Sequence, residues 1–237
     1  MTISIVTAAL NARDNLISMH QAVNCFLSED LDWIICDSVR SNDFAESFFC
    51  CKPYITFLKY NDLGIYDSLN YAIAHSNSDW ILVLGSDDKI IYPLTSIISL
   101  LDMVHSIYSL PYTIGSSEKV YRKSPNNLFK YLLGMPLSHQ SLLVKRTLLL
   151  RSPFDLNYLY ASDFHWLLSQ FRNGCYVTAI PYSQPLINMG SNGLSSKSSL
   201  RIFILNEFLS IMRCNGINGI LLFPIYLSLL KASICQK

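Results

Sequence analysis

Four short apolar runs punctuate the first half of the chain: Ile3-Ser4-Ile5-Val6, Trp33-Ile34-Ile35-Cys36, residues 54–58, and Trp80-Ile81-Leu82-Val83-Leu84. Segments of helical periodicity lie between them. Leu16, Met19, Val23 and Phe26 follow the first run at helical spacing, and residues 65–74 precede the fourth. Strands that alternate with helices predict an α/β chain with a mostly parallel central sheet, covered by helices on both faces. Ligands of such open sheets bind beyond the carboxyl ends of the strands. Here those ends carry Thr7, Ala8 and Asn11, then Asp37, then Gly85-Ser86-Asp87-Asp88. Three strand ends are therefore expected to present polar or acidic groups to one crevice.

The second half is less regular. Residues 112–121 and 140–145 are expected as strands at the sheet's edge, and 175–180 as a further strand. Residues 161–171 read as a helix with Phe164, Leu167, Leu168 and Phe171 on one face, and 190–199 as a loop rich in Ser, Gly and Asn. No internal repeat is present. Residues 220–230 are strongly apolar, contain Pro224, and are flanked by Arg213, Lys231 and Lys237. A spanning helix needs about 20 apolar residues, so this stretch is short for a bilayer. Two readings stay open for it: an interfacial helix with basic anchors, or a helix packed on the protein's own core.

A length of 237 residues suffices for one sizeable core and an appendage. Hydrophobic residues at 51% and charged residues at 15% exclude a disordered chain. A formal net charge of +1 argues against a dedicated nucleic-acid binder, and Lys119, Arg122 and Lys123 read as a solvated edge. The seven cysteines form no C-x-x-C pair, which fits neither a zinc site nor a disulfide framework. Buried thiols in a reducing cytosol fit better. An apparent strand begins almost at once with no basic region before it, so no signal peptide is expected and the location is read as cytoplasmic.

Asp87 and Asp88 follow the most convincing strand. Adjacent carboxylates repel unless a cation lies beside them, and hard oxygen ligands suit magnesium or manganese shared with substrate phosphates. A pair of turn-forming aspartates is the competing reading. Asp163 lies at the expected start of a helix beside Phe164 and Trp166. Those apolar neighbours would raise its proton affinity, whereas a helix N-terminus would lower it, so it reads either as a general base or as a simple cap.

In order along the chain come Ile3 to Asn11, Trp33 to Asp37, Gly64-Ile65-Tyr66-Asp67-Ser68-Leu69-Asn70, Trp80 to Asp88, Ser138-His139-Gln140, Ala161-Ser162-Asp163-Phe164 and Gly193-Leu194-Ser195. With these pieces in this order the chain resembles the family 2 glycosyltransferases, inverting enzymes of the GT-A fold, and especially bacterial members that build surface polysaccharides such as O-antigen. The resemblance implies a GT-A domain over residues 1–200, with a nucleotide-binding half to about 110 and an acceptor half over 111–200. Residues 201–237 would form a helical, membrane-associating C-terminal segment. It also implies a hexosyltransferase that moves one sugar from a nucleotide-sugar donor, a UDP-sugar, to a glycan acceptor carried on undecaprenyl diphosphate. Mn2+ or Mg2+ would assist, with peripheral contact at the inner membrane.

Carried over position by position, Thr7, Ala8 and Asn11 look like a wall of the nucleotide pocket, and Asp37 like the partner of the base. Asp67 and Asn70 match a segment near the donor. Ser86 and Asp87 belong to the diphosphate turn, with Asp88 the first choice for metal coordination beside Asp87. Asp163 matches the catalytic base, and His139, Gln140 and Ser195 a group near diphosphate or acceptor. A buried core histidine remains the alternative for His139.

The chain departs from the family pattern in three places. The turn after Asp37 reads Ser38-Val39-Arg40-Ser41 where glycines are usual. Gly85 stands where the acidic motif often begins, and the usual paired glycines before Ser195 are reduced to Asn192-Gly193. No Q-x-x-R-W motif of processive synthases is present, which favours single-sugar transfer. A nucleotidyltransferase would show a glycine-rich loop after the first strand, yet residues 9–15 contain no glycine. A nucleotidyltransferase of similar fold and a catalytically silent relative that only binds a partner or a carrier lipid are the alternatives.

Overall fold

A computed structural model describes residues 1–43, 45–122, 124, 126–132, 135–190 and 198–217. The first half is the alternation that periodicity predicts: β1 (Ile3–Ala9), α1 (Arg13–Val23), β2 (Leu31–Ser38), a short α2 (Glu46–Phe49), β3 (Ile55–Tyr60), α3 (Ile65–His75) and β4 (Trp80–Val83). The second half adds β5 (Lys89–Ile90), β6 (Ile107–Ser109), β7 (Tyr112–Ile114), α4 (Leu128–Leu132), β8 (Leu142–Lys145), α5 (Arg146–Arg151), α6 (Ser162–Arg172), β9 (Val177–Ala179), β10 (Ile187–Met189) and α7 (Arg201–Cys214).

The main sheet has the order β3-β2-β1-β4-β8-β6-β9. Strands β3, β2, β1 and β4 are mutually parallel, β8 is antiparallel to both β4 and β6, and β9 is parallel to β6. The chain builds outward from β1 to β3 and then returns to place β4 on the other side of β1. The resulting switch point opens a crevice at the carboxyl ends of β1 and β4. A second sheet, β5-β10-β7, stands beside the first.

Two expectations change. Residues 140–145 yield β8, which lies inside the sheet between β4 and β6 rather than at an edge. Leu142, Leu143 and Val144 are all buried there, with β4 paired on one side and β6 on the other. Of residues 112–121 only Tyr112–Ile114 is a strand, and it joins the second sheet; Tyr121 meets Tyr112 through an isolated bridge.

The period-two alternation of the strands assigns each residue to a layer. Ile3, Ile5, Trp33, Ile35 and Leu82 pack with Leu16, Met19 and Val23 of α1 and Phe49 of α2. Val6, Ile34, Cys36, Ile81 and Val83 pack on the other face with Tyr66, Leu69, Ala72 and Ile73 of α3 and with α6. Helix α3 opens at Gly64, whose φ of +149° is closed to side chains and sets the chain into the helix directly beside the crevice. Helix α7 covers α6, with Ile211 and Met212 buried and the Phe208 ring 4.3 Å from that of Phe164.

No helix among the described residues is long and apolar enough to cross a membrane. The apolar stretch 220–230, the glycine-poor turn at 192–193 and Ser195 lie outside the described residues.

Candidate active site

The carboxyl ends of β4 and β2 and the first turn of α6 carry the candidate residues. After β4 the chain makes a tight turn through Gly85, Ser86, Asp87 and Asp88. Asp88 is 1% exposed, and both its oxygens accept backbone N–H groups, Oδ2 from Gly85 at 2.7 Å and Oδ1 from Gly190 at 2.9 Å. Burial raises its pKa to about 6 against the opposing effect of those two N–H groups, and the charge of Asp87 adds to the rise. Asp88 therefore acts as a bracket that ties the acidic turn to the end of β10.

Asp87 is the half-buried neighbour with a different environment. Its Oδ2 is buried and has no hydrogen-bond partner among the described residues, and Gly190 lies against it so closely that a Cβ there would sit 2.1 Å from that oxygen. An orphaned carboxylate oxygen in an acidic turn is the acceptor a hard cation satisfies. The sequence puts Asp88 first for coordination; in the structure Asp88 already carries two backbone N–H bonds, whereas Asp87 Oδ2 has no hydrogen-bond partner among the described residues. Among the described residues no group of three or more His, Cys, Asp or Glu side chains forms a metal site, so a cation here would draw its other ligands from substrate and water. Ser86 is half-buried in the same turn.

The second contributor is the first turn of α6. Asp163 Oδ2 accepts the Nδ1–H of His139 at 2.8 Å, and Oδ1 accepts the hydroxyl of Tyr66 at 3.0 Å and the N–H of Phe164 at 2.8 Å. The Tyr66 hydroxyl is shared with the carbonyl of Tyr160 at 3.1 Å. Burial drives the Asp163 carboxyl up, but the hydrogen bond and charge of His139, helped by Phe164 and Tyr66, bring it below the usual carboxylate value. Burial drives His139 down, and the hydrogen bond and charge of Asp163, followed by the charge of Asp88, more than restore it. His139 and Asp163 line a small, largely apolar cavity together with Ile81, Val83, Leu142, Phe154 and Trp166. His139 is thus hydrogen-bonded to Asp163, and its pKa is held above the ordinary histidine value. Gln140, in the same turn, accepts the hydroxyl of Ser138 through Oε1.

A third group gathers at the end of β2. Asp37, 2% exposed, accepts the hydroxyl of Ser41 at 2.5 Å, and burial raises its pKa while Ser41 opposes the rise. The Asn11 N–H donates to Ser41 Oγ at 3.0 Å, and Asn11 Oδ1 accepts the N–H of Asn42 at 2.7 Å. Asn11 adopts φ +52°, which Asn tolerates better than most residues. The glycine-free turn after Asp37 is held in this way to the end of β1. Ala8 pairs in register with Cys36, beside Asp37. Thr7 is fully buried, and its Oγ1 accepts the indole N–H of Trp33 at 3.0 Å, so its hydroxyl faces the α1 layer.

On α3, Asp67 Oδ2 accepts the N–H of Leu63 at 2.9 Å and shapes the loop before the helix. Asn70 clamps the backbone of Phe154 from both sides, donating to its carbonyl at 2.9 Å and accepting its N–H at 3.0 Å. The structure engages both polar groups of Asn70 in that clamp.

No protein-family model and no curated protein matches the sequence. Solved structures match it by fold. The complex of S. aureus TarS 1–349 with UDP-GlcNAc has a TM-score of 0.68 at 13% identity, over 90% of this chain and 66% of that one. The mannosyltransferase PcManGT from Pyrobaculum calidifontis, in complex with GDP-Man and Mn2+, has a TM-score of 0.62 at 16% identity, over 99% and 75%. Glucosyl-3-phosphoglycerate synthase from Mycobacterium tuberculosis, in complex with Mn2+, UDP and glucosyl-3-phosphoglycerate, has a TM-score of 0.61 at 19% identity, over 89% and 79%.

The chain has the GT-A fold of glycosyltransferases. It spans 65–66% of TarS 1–349. Within this fold the candidate site contains two residues that sequence reading passed over. Tyr66 stands inside the quoted Gly64–Asn70 segment but gave no sign that its hydroxyl reaches Asp163, 97 residues away. Gly190 opened the expected loop, and only its contact with Asp87 reveals why a side chain is excluded there.

Proposed function

We propose that the protein is a metal-dependent, inverting glycosyltransferase that moves a single sugar from a nucleoside diphosphate sugar, a UDP-sugar, to an acceptor hydroxyl. The observation that carries this reading is Asp163, fixed by hydrogen bonds from His139 and Tyr66, with Asp88 of the acidic turn near enough to act on the charge of His139 and with Asp87 Oδ2 lacking a hydrogen-bond partner among the described residues. The GT-A fold supports it, as do UDP-GlcNAc, GDP-Man and UDP in the neighbours' complexes.

Asp163 is the general base. A carboxylate offers about four lone-pair sites; His139, Tyr66 and Phe164 use three, and the remaining one is available to an acceptor hydroxyl. The acceptor O–H bond breaks towards Asp163, the oxygen forms a bond to the anomeric carbon, and the carbon–oxygen bond to the diphosphate breaks with its electron pair on the leaving group. The hydrogen bond from His139 holds the Asp163 carboxyl below its ordinary pKa and so favours the ionised base until the proton arrives. Asp87 would hold Mn2+ or Mg2+, which when bound supplies Lewis-acid stabilisation of the departing diphosphate. Asp37 faces the nucleoside end.

For the acceptor, the apolar composition of residues 220–230 supports a lipid-linked glycan and a peripheral place on the cytoplasmic face of a membrane, within polysaccharide or O-antigen assembly. Gly85, in place of the first acidic residue, favours the silent alternative. A panel of nucleotide sugars with manganese separates the two: transfer with release of nucleoside diphosphate and inverted anomeric configuration is expected, whereas no release from any donor would establish the silent reading.

A further inference from the structure

Helix α7 contributes one carboxylate to the segment that delivers Asp163. Glu207 Oε1 accepts the N–H of Leu159 at 2.8 Å, and Oε2 accepts those of Tyr160 at 2.8 Å and Ala161 at 2.9 Å. Three successive backbone donors therefore close on one side chain, immediately before α6 begins at Ser162. Such a concave row of N–H groups is an anion cradle, and here the protein fills it with its own carboxylate.

The opposite edge of the same segment is held by Tyr66, whose hydroxyl bonds both the Tyr160 carbonyl and Asp163 Oδ1. Glu207 and Tyr66 thus grip residues 159–161 from two sides, one through the N–H groups and the other through a carbonyl. Asp163 lies two residues further on. Ala161, the residue before α6, has no side-chain cap and is fully buried, so the cradle has no substitute for Glu207 within α6. The Phe208 ring, next to Glu207 in the chain, packs on Phe164, next to Asp163, and locks the two helices in register.

We infer that Glu207 is a positioning residue for Asp163, so that α7 is part of the active site rather than an appendage to it. The inference rests on the functional reading above, in which Asp163 is the base. It does not place Glu207 in contact with substrate: Glu207 acts through the backbone of residues 159–161, and through it on the direction in which Asp163 and Tyr66 point.

The test compares the full-length wild type with Glu207→Ala and Glu207→Gln, the latter keeping one carbonyl acceptor for the cradle. Misplacing a reacting group by about an ångström costs on the order of 10²-fold in rate. Glu207→Ala is expected to lower kcat by about that factor while donor KM stays within about two-fold, the split that marks lost alignment rather than lost binding. Glu207→Gln should fall between the two, which general destabilisation would not produce once folding is verified by near-ultraviolet circular dichroism. Amide hydrogen exchange at Leu159, Tyr160 and Ala161, measured without any substrate, should accelerate in both variants. Unchanged exchange would overturn the clamp, and accelerated exchange with unchanged kcat would overturn the positioning role. If Glu207→Ala does not fold, Glu207→Gln carries the same two readouts. A wild type that transfers no sugar from any donor would strike the functional reading and the kinetic inference with it, while the exchange pattern still decides whether the clamp exists.

Discussion

His139 Nδ1 lies 2.8 Å from Asp163 Oδ2, and each residue reverses what burial alone would do to the other. A buried imidazole loses its proton and a buried carboxyl keeps one. Together they shift the other way, His139 above its ordinary value and Asp163 below its own. The pair therefore supplies an ionised base in an apolar setting, which neither residue would supply alone.

That coupling has a direct spectroscopic consequence. The His139 ring should titrate above 6.5 in the wild type, and Asp163→Asn should move the midpoint down, because burial then loses its main opponent. The linked stability has a defined window. A raised histidine value contributes fully below the unfolded pKa and fades as pH rises through the folded one; a depressed carboxyl contributes above its unfolded value and fades as pH falls. The wild type's advantage over His139→Gln in urea should therefore be largest between about pH 4 and 6.5 and shrink above that range. Proton NMR and urea midpoints check both, and a His139 midpoint unaffected by Asp163→Asn would remove the coupling.

Asp163→Asn keeps shape but cannot take a proton. Transfer should fall by roughly 10²–10⁴-fold, the usual size of general-base assistance. Donor affinity, read by calorimetry with manganese, should stay near the wild-type value, since the proposed mechanism assigns Asp163 to the acceptor hydroxyl. Substantial turnover in that variant would move the base elsewhere.

Adjacent Asp87 and Asp88 should separate cleanly. Asp87→Asn is expected to weaken manganese-dependent donor binding at least about tenfold with little change in thermal midpoint, by replacing a carboxylate whose Oδ2 has no hydrogen-bond partner among the described residues. Asp88→Ala leaves the Gly85 and Gly190 N–H groups without their acceptor, at a cost of about 1–3 kcal/mol in stability. The opposite pattern would restore Asp88 as the ligand.

Those two residues also show how far the sequence could be read. The alternation of Ile3, Ile5 and Val6, or of Ile34 and Ile35, assigns strand faces because a strand repeats every two residues, and the crevice follows from strand order. What two adjacent aspartates do is not local information. Asp88 becomes a bracket because Gly190 arrives from 102 residues away, and Tyr66 finds Asp163 across 97. The interior place of β8 was hidden for a similar reason: Leu142-Leu143-Val144 looks the same in a centre or at an edge until its neighbours are known.

Asn70 tests the donor-side role that resemblance suggests for it. Its amide holds Phe154 through two hydrogen bonds, so Asn70→Ala should cost about 1–3 kcal/mol in stability. Donor KM should change by no more than about two-fold. A rise in donor KM without loss of stability would place Asn70 at the donor after all.

Gly190 offers the sharpest steric test of the acidic turn. A Cβ there would lie 2.1 Å from Asp87 Oδ2 and 2.9 Å from the Asp87 carbonyl oxygen, distances no real methyl group sustains. The side-chain oxygen can swing away, but the backbone oxygen moves only if the turn does. That turn is fixed to Gly190 by Asp88, so relief at one contact strains the other. Gly190→Ala should therefore cost about 1–3 kcal/mol, as overpacking generally does. It should also weaken manganese-dependent donor binding in parallel with Asp87→Asn, since the displaced carboxylate no longer offers the same oxygen. Combining the two substitutions should add little to the binding loss, because neighbours that act through one group are not additive. Full additivity in that double variant, measured by calorimetry, would mean that Gly190 acts on the donor by a route other than Asp87.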